Sequence, residues 1–297
     1  MHIGKSETLS KVIDVEELKS LQLDMLREIK HICEKNSLRY YLCGGTLLGA
    51  IRHKGYIPWD DDIDIIMPRS DYMKFHKLFN TEAKPYYRFR SVFNERDWDS
   101  TFAKVEDTRT VKKYNSFNEK VLVGVCIDVF PTDGAPSSIL ARRLFWFVQN
   151  LLARIAYLST QKFTISQHYV DLEEKHTGLK TVLRTFIKFM MIPLAKLTRP
   201  FQLFKFVNLL AMRYDVDKTK YIGVSTFPHY GYRECIKGRP FLKMRNRSFE
   251  GELFGTPDNY EEYLSNLYGD YMKIPPIEKQ VSHHDFIAYW KNDNMHY

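Results

Sequence analysis

Cysteines are few in this sequence, and no run of apolar residues is long enough to cross a membrane. The four cysteines of the 297-residue chain (Cys33, Cys43, Cys126 and Cys235) stand far apart, without a CxxC pair. This spacing excludes a disulfide scaffold and a zinc finger. No stretch reaches the roughly 18 apolar residues that a membrane span needs, and the first residues lack the apolar segment of a secretory signal. We therefore expect a cytoplasmic protein in a reducing compartment.

The composition is that of a globular protein. Hydrophobic residues make up 44% of the chain, aromatic residues 14% and charged residues 27%. A disordered chain would have fewer aromatic residues, and collagen would show a glycine at every third position. The length allows one decorated domain or two smaller ones.

The basic residues are concentrated in one segment. The whole chain has a net charge of +8, but residues 135–213 alone carry twelve basic and three acidic residues, a net charge of +9. Large apolar side chains separate these cations, which predicts basic amphipathic helices at an anionic membrane surface. A buried helical subdomain whose cations face water explains the same pattern. Nucleic acid would also attract this charge, but the segment has no recognised nucleic-acid-binding motif, so we expect no nucleic-acid partner.

Hydrophobic periodicity predicts alternating helices and strands on both sides of this segment. Asp14 and Glu17 resemble a capping box in front of an amphipathic helix over residues 15–35. Alternation and turn residues predict the other elements. These are strands at 38–43, 62–67, 87–93, 102–106 and 123–130, and helices at 46–52, at 70–79 with Ser70 as N-cap, and at 260–268.

Two carboxylates occupy one predicted strand. Side chains two residues apart face the same side of a strand, so Asp62 and Asp64 should lie together while Ile63 and Ile65 enter the core. Their repulsion would be relieved by a divalent cation, Mg²⁺ or Mn²⁺. Asp60 extends the pattern toward that of a calcium loop, but the sixth and twelfth positions, here Ile65 and Asp71, are not the Gly and Glu that such a loop requires.

Asp128 is a third carboxylate, within the apolar segment Val125–Phe130. A buried aspartate without a counter-ion is costly, so we expect Asp128 either to complete the metal site or to accept a proton as general base. The alternative is that it caps a turn at 131–134.

A glycine turn precedes the aspartates. Gly44, Gly45 and Thr46 lead into a predicted helix, whose free amide groups form an anion site. Positive charge follows from Arg52, His53 and Lys54, and Lys104 lies on a later strand; these cations either brace a diphosphate or are ordinary surface charges. Together with the aspartates, the turn predicts a site for phosphate and metal.

These segments closely resemble the LicD phosphotransferases and the related fukutin-type transferases. The similarity runs from Tyr41 through Trp59-Asp-Asp-Asp-Ile-Asp-Ile65 to Tyr72 and continues at Ile127-Asp-Val-Phe-Pro-Thr-Asp-Gly134. It returns in Phe249-Glu-Gly251 and in residues 263–272. The basic segment contains no matching motif.

The resemblance implies an α+β fold of the nucleotidyltransferase type, with a mixed sheet flanked by helices. Its catalytic core would span residues 1–134, a basic helical insertion residues 135–215, and a part completing the catalytic domain residues 216–297. It also implies transfer of phosphocholine from CDP-choline to a sugar hydroxyl of a cell-surface glycan such as teichoic acid. Carried over by motif, Gly45 and Thr46 belong to the glycine turn, Asp62 and Asp64 to the metal pair, and Asp128 is the third acid, with Asp60 in a supporting role.

Other functions fit parts of the pattern. A donor carrying ribitol or glycerol phosphate, or transfer of the nucleotide itself, would use the same charges, whereas a non-catalytic scaffold would use only the basic segment. A lipid-linked acceptor would explain that segment by placing the enzyme at the inner face of the cell membrane.

Aromatic faces bind quaternary ammonium groups. Four such residues are near the site in sequence: Tyr56, Trp59, Tyr72 and Trp98.

Overall fold

The computed structural model describes residues 9–114, 123–160, 195, 197–281 and 286–292, which form an α+β architecture. Its helices are α1 (Val15–Lys35), α2 (Gly44–Arg52), α3 (Arg69–Glu82), α4 (Ile139–Thr160), α5 (Pro200–Ala211), α6 (Gly238–Phe241) and α7 (Tyr260–Tyr268). Its strands are β1 (Leu9–Ile13), β2 (Tyr41–Leu42), β3 (Asp64–Pro68), β4 (Tyr87–Arg90), β5 (Ala103–Asp107), β6 (Thr110–Tyr114), β7 (Cys126–Ala135), β8 (Tyr221–Gly223), β9 (Ile236–Lys237), β10 (Met244–Phe249), β11 (Glu252–Pro257) and β12 (Phe286–Lys291).

A mixed sheet of seven strands forms the centre, with β2, β3, β7, β5 and β4 side by side and β8 and β9 extending from the far half of β7. Only β3 and β7 run parallel; the other neighbours are antiparallel. The register of the parallel pair places Asp64 opposite Asp128. Strand β7 is the long central strand, and its residues are buried except for Asp128, which is partly exposed.

Two smaller antiparallel sheets flank the centre: β1, β12 and β6 form one, and the hairpin β10–β11 the other. Chain segments far apart in sequence therefore meet, since β12 pairs with both β1 and β6. In sequence these strands are short and lack strong alternation, and we did not predict them individually.

Helix α1 has the predicted bounds because its capping and its periodicity agree. The Asp14 carboxylate accepts a hydrogen bond from the backbone N–H of Glu17 at 2.8 Å, which satisfies one free amide of the first turn. The buried face of α1 consists of Leu18, Leu21, Gln22, Met25, Leu26, Ile29, Ile32 and Cys33. Burying such a stripe contributes most of a helix's stability in a folded protein.

Several predicted boundaries are corrected by the structure. Gly44 and Gly45 form the first turn of α2 rather than a turn before it, and β3 begins at Asp64, so Asp62 precedes the strand. Helix α3 has Pro68 as N-cap, whereas the predicted cap, Ser70, donates a hydrogen bond to Asp217. The alternative explanation of Asp128, as the cap of a turn at 131–134, does not hold, because β7 continues to Ala135 and pairs there with β8.

Helices α4 and α5 belong to the predicted basic segment and pack on each other; the Gln149 amide donates to the carbonyl of Val207 at 3.2 Å. Within this segment Arg142 is structural rather than exposed. Its guanidinium lies 3.6 Å from the centroid of the Tyr221 ring and donates to the carbonyls of Pro136 and Ser137. Residues 161–194 and Lys196 lie outside the described residues. The division of the chain into three parts therefore stays a prediction.

In the part of the chain that the structure describes, no helix combines the length and the apolarity needed to cross a bilayer.

Candidate active site

A cavity of about 640 Å³ opens where β3 and β7 meet the beginning of α2. Four of the predicted acidic residues line it: Asp60, Asp62, Asp64 and Asp128. The two glycines of the turn, Gly44 and Gly45, line it as well. The structure thus brings the predicted carboxylates and the glycine turn into one cavity, although they come from three different segments of the chain.

Asp64 and Asp128 face the cavity from neighbouring parallel strands, where their Cα atoms form a register pair. Burial, followed by repulsion from Asp62, Asp128 and Asp60, raises the pKa of the Asp64 carboxyl well above its ordinary value. Repulsion among the carboxylates therefore adds to the cost of burying Asp64. A cation bound among these groups would lower that electrostatic cost.

The two glycines allow carboxylates to approach the start of α2. Gly44 has φ +52, a conformation that side chains rarely adopt, and a Cβ on it would lie 3.3 Å from Asp64 Oδ2. A Cβ on Gly45 would lie only 2.7 Å from Asp60 Oδ2, so something would have to shift. The next residue, Thr46, is buried and accepts a hydrogen bond from the backbone N–H of Asp64 at 2.8 Å. Its hydroxyl positions the start of β3 and is not part of the cavity lining.

Asp128 is not the isolated carboxylate that the sequence led us to expect. On β5, Lys104 stands directly opposite it in the register, and its ammonium donates to Asp128 Oδ1 at 2.8 Å. Burial disfavours the charged ammonium, but attraction from Asp128 outweighs it and raises the pKa of Lys104 well above its ordinary value. The cross-strand pairing explains why Lys104 serves as counter-ion to Asp128, instead of facing the cavity to hold a diphosphate.

Of the three consecutive cations after the glycine turn, the structure brings only Arg52 to the cavity. Its guanidinium donates to the carbonyls of Tyr271 and Lys273, and burial lowers its pKa. His53 packs edge-on against Trp59 with ring centroids 6.2 Å apart, and burial lowers its pKa as well. The Lys54 ammonium bonds the carbonyl of Ile51, at the carboxyl end of α2. Neither His53 nor Lys54 lines the cavity.

The carboxylates suit a magnesium ion that a substrate completes. No group of three His, Cys, Asp or Glu side chains with metal-site geometry is present among the described residues. Magnesium, however, commonly takes one or two carboxylates and fills its remaining positions with water and substrate phosphate. Asp64 and Asp128 lie in register on neighbouring strands and line one cavity, where an ion would relieve the repulsion between carboxylates. Asp62 and Asp64, with Asp128 and Asp60 beside them, are the residues that could hold it.

The carboxyl-terminal third of the chain supplies cavity residues that sequence reasoning missed. These are Phe227, His229, Tyr230, Glu234, Tyr263, Tyr268, Asp270, Tyr271 and Lys273. Tyr263 and Tyr268 fall within the tail that resembles the family, which was the one signal available for them; Glu234 falls in no quoted motif. Of the four aromatic residues near the site in sequence, only Trp59 lines the cavity.

The remaining aromatic candidates are engaged elsewhere. Tyr72 packs edge-on against Phe89 in the core, Trp98 is buried in a second hydrophobic cluster, and Tyr56 packs against Phe249. Nearness in sequence to the aspartates therefore does not indicate which rings face the site.

Comparison with known proteins agrees with this geometry. Residues 37–140, which include the glycine turn and all four acidic residues, match the family described as LicD/FKTN/FKRP, nucleotidyltransferase domain. The chain is 28% identical over 281 residues to the lipopolysaccharide cholinephosphotransferase LicD of Haemophilus influenzae, covering 94% of this chain and 99% of that protein. It is also 34% identical over 80 residues to the human ribitol 5-phosphate transferase FKRP, covering 27% of this chain and 16% of that protein.

Proposed function

We propose that this chain, which carries a LicD family domain, is a phosphotransferase that moves phosphocholine from CDP-choline to a sugar hydroxyl of a cell-surface glycan precursor and releases CMP. The observation that carries the proposal is the convergence of Asp64 and Asp128 on one cavity, beside Asp60, Asp62 and the glycine turn. Similarity to a cholinephosphotransferase over nearly the whole chain supports the choice of donor. We extend the proposal to an acceptor of the teichoic-acid type and to a nucleotidyltransferase-type catalytic core.

The proposed cofactor is Mg²⁺ or Mn²⁺, held by Asp62 and Asp64 and, less centrally, by Asp60. Of the two roles open to Asp128, ligand or base, we propose that of general base. When bound, such an ion neutralises the charge that spreads over phosphoryl oxygens during transfer. The chain's own positive charge at the cavity comes from Arg52 and Lys273. The Arg52 guanidinium donates from Nη1 to two backbone carbonyls and from Nε to His53 Nε2, so its Nη2 group is the donor left for a phosphate. The start of α2 adds the amide groups of its first turn.

In the proposed reaction the acceptor hydroxyl attacks the phosphorus that bears choline. A bond forms from the acceptor oxygen to that phosphorus, and the bond from the phosphorus to the bridging oxygen of the diphosphate breaks, so that CMP leaves with that oxygen. The proton of the hydroxyl passes to Asp128 as general base. Since Lys104 engages Asp128 Oδ1, the oxygen that takes the proton is Oδ2.

A polyol phosphate donor is the second candidate. It is favoured by the 80-residue similarity to the ribitol 5-phosphate transferase FKRP. Both candidates release CMP, and the identity of the transferred group distinguishes them. Transfer of the nucleotide itself would release a different leaving group.

Helices α4 and α5 carry the proposed contact with a membrane-borne acceptor. Leu140, Leu144, Phe147 and Leu151 are exposed at helical spacing along α4, and Arg143 and Arg154 are exposed on the same helix. Apolar residues interspersed with cations suit the surface of an anionic membrane. Sedimentation with anionic liposomes should show binding that falls with salt, and absence of binding would remove this part of the proposal.

The test of the function is CMP release from CDP-choline in the presence of Mg²⁺ and candidate glycans. We expect Asp62→Asn to reduce turnover on the order of 100-fold or more, because a lost ligand removes several kcal/mol of charge stabilisation. Its melting temperature should change little, since Asp62 repels its acidic neighbours. Asp97→Asn, at an exposed position, is the matched control and should retain full turnover. Normal turnover of Asp62→Asn, or full turnover without divalent cation, would refute the metal assignment.

A further inference from the structure

Glu234 is a buried carboxylate that the proposed reaction does not use. It ends the short 3-10 helix Gly231–Glu234 and lines the same cavity as the aspartates. Glu234 is 7% exposed, and its Oε2 atom is buried without a hydrogen-bond partner. Among the described residues, Glu234 forms no ion pair with a Lys, Arg or His. A buried carboxylate oxygen without a partner is costly and indicates that a bound group completes the site.

Burial raises the pKa of the Glu234 carboxyl to about 8, although a hydrogen bond from Tyr263 acts in the opposite direction. A cation bound in the cavity beside Glu234 would supply the interaction that its Oε2 atom lacks. Arg52 and Lys273 line the cavity, but neither forms an ion pair with Glu234 in the described structure, and the Arg52 guanidinium is bound to backbone carbonyls.

Aromatic rings surround this carboxylate. The hydroxyls of Tyr230 and Tyr268 lie 2.8 Å apart, and their rings meet edge to face with centroids separated by 5.6 Å. Burial raises the pKa of Tyr230 to about 12 and that of Tyr268 well above its ordinary value, so both phenols are neutral at physiological pH. Neutral π faces beside one carboxylate attract a poorly hydrated organic cation, because the ring faces and the carboxylate both attract positive charge without requiring directional hydrogen bonds.

This part of the cavity adjoins the acidic cluster. A Cβ on Gly44 would lie 3.8 Å from the Tyr268 hydroxyl and 3.3 Å from Asp64 Oδ2, so both atoms approach the same point at the start of α2. A phosphate near the aspartates could therefore extend a short substituent toward Tyr268 and Glu234. In phosphocholine the quaternary ammonium is separated from the phosphate by an ethylene bridge, which is a substituent of that kind.

We propose that Glu234, with Tyr230, Tyr263 and Tyr268, forms the subsite for the cationic end of the donor and selects a quaternary ammonium donor over a neutral polyol donor. The inference rests on the proposed function, in which the transferred group is phosphocholine. Glu234 acts as a specificity-determining residue: it contacts the part of the donor that does not react. A neutral polyol carries no positive charge for this carboxylate to attract.

The test is calorimetric titration of the full chain, with Mg²⁺ present, by CDP-choline, CDP-glycerol and CMP. Glu234→Gln keeps the shape of the side chain and removes its charge. We expect it to weaken CDP-choline binding by about tenfold or more, as for loss of a buried charge partner, and to change CDP-glycerol and CMP binding less than twofold. Glu261→Gln, on the exposed side of α7, is the matched control and should change none of the three.

Folding does not confound this test, because Gln has the shape of the neutral carboxyl that burial favours in the free protein, so Glu234→Gln should melt at or above the temperature of the wild-type protein. Tyr268→Leu is a second variant that removes a π face without changing charge, and it should weaken CDP-choline severalfold while sparing CMP. Equal binding of CDP-choline by Glu234→Gln and the wild-type protein would overturn the subsite and leave the proposed function intact. Equal weakening of all three ligands would also overturn it, by showing a structural role. A wild-type protein that binds CDP-glycerol but not CDP-choline would instead refute the proposed donor, and the subsite with it.

Discussion

Lys104 and Asp128 should be energetically coupled, and the structure sets the scale of that coupling. Their side chains are 19% and 20% exposed, and their charged atoms are 2.8 Å apart. Removing one partner of a fully buried pair costs about 3–5 kcal/mol, whereas exposed pairs contribute roughly 0–1 kcal/mol. For this partly buried pair we expect Lys104→Met to destabilise the protein by about 2 kcal/mol, because Asp128 would remain among other carboxylates without its counter-ion.

The assay is urea unfolding of the wild-type protein, Lys104→Met, Asp128→Asn and the double variant. If the pair is coupled, the double variant should be less destabilised than the sum of the two single variants, by about 1 kcal/mol or more. Lys113→Met is the control, since Lys113 is exposed on the neighbouring strand β6. Additive effects of the two substitutions would show that Lys104 and Asp128 do not interact, and would return Lys104 to its predicted role at the diphosphate.

Two further predictions concern the glycine turn and Glu234. Gly44→Ala should cost about 1–2 kcal/mol of stability, because its φ of +52 is unfavourable for alanine, and should reduce turnover because the new Cβ crowds Asp64; unchanged melting and turnover would contradict the described backbone. The folded-state pKa of Glu234, about 8, lies above the ordinary 4.5, so the wild-type protein should lose stability as pH rises from about 5 through 8. Glu234→Gln should lose less stability over the same range, keeping only the loss that the raised pKa of Asp64 causes in both proteins. Melting curves of both proteins across that pH range measure this loss. A difference in stability between the two proteins that does not change with pH would refute the prediction.

Local patterns were sufficient where neighbouring residues decide the structure. The bounds of α1 and α7 match those predicted, because helical periodicity acts within a few residues, and in α1 the Asp14 cap adds to it. The sequence predicts that the strand ends at residue 130, because Pro131 and Gly134 are typical of turns, whereas β7 continues to Ala135. In the structure, β3 and β8 pair with that stretch, and such partners are invisible to a local pattern.

In the candidate site, too, some features follow from the sequence and others depend on how the strands pair. Asp62, Asp64 and the glycine turn were predicted to act together, and their placement in one cavity follows from a short segment of chain. The environment of Asp128 was not predictable: Lys104 is its counter-ion only because β5 and β7 pair in one particular register. Lys54, for which the sequence left a role at the diphosphate or at the surface open, does not line the cavity; its ammonium bonds the carbonyl of Ile51 at the end of α2.

The sequence by itself determined the acidic cluster, the glycine turn, the first helix and the resemblance to a transferase family, because each is encoded in consecutive residues. Only the tertiary structure decided which side chains from the carboxyl-terminal third face the aspartates. Glu234 and the tyrosines beside it reach the cavity through packing between segments more than a hundred residues apart. Contacts of that kind depend on the register and burial of the whole fold.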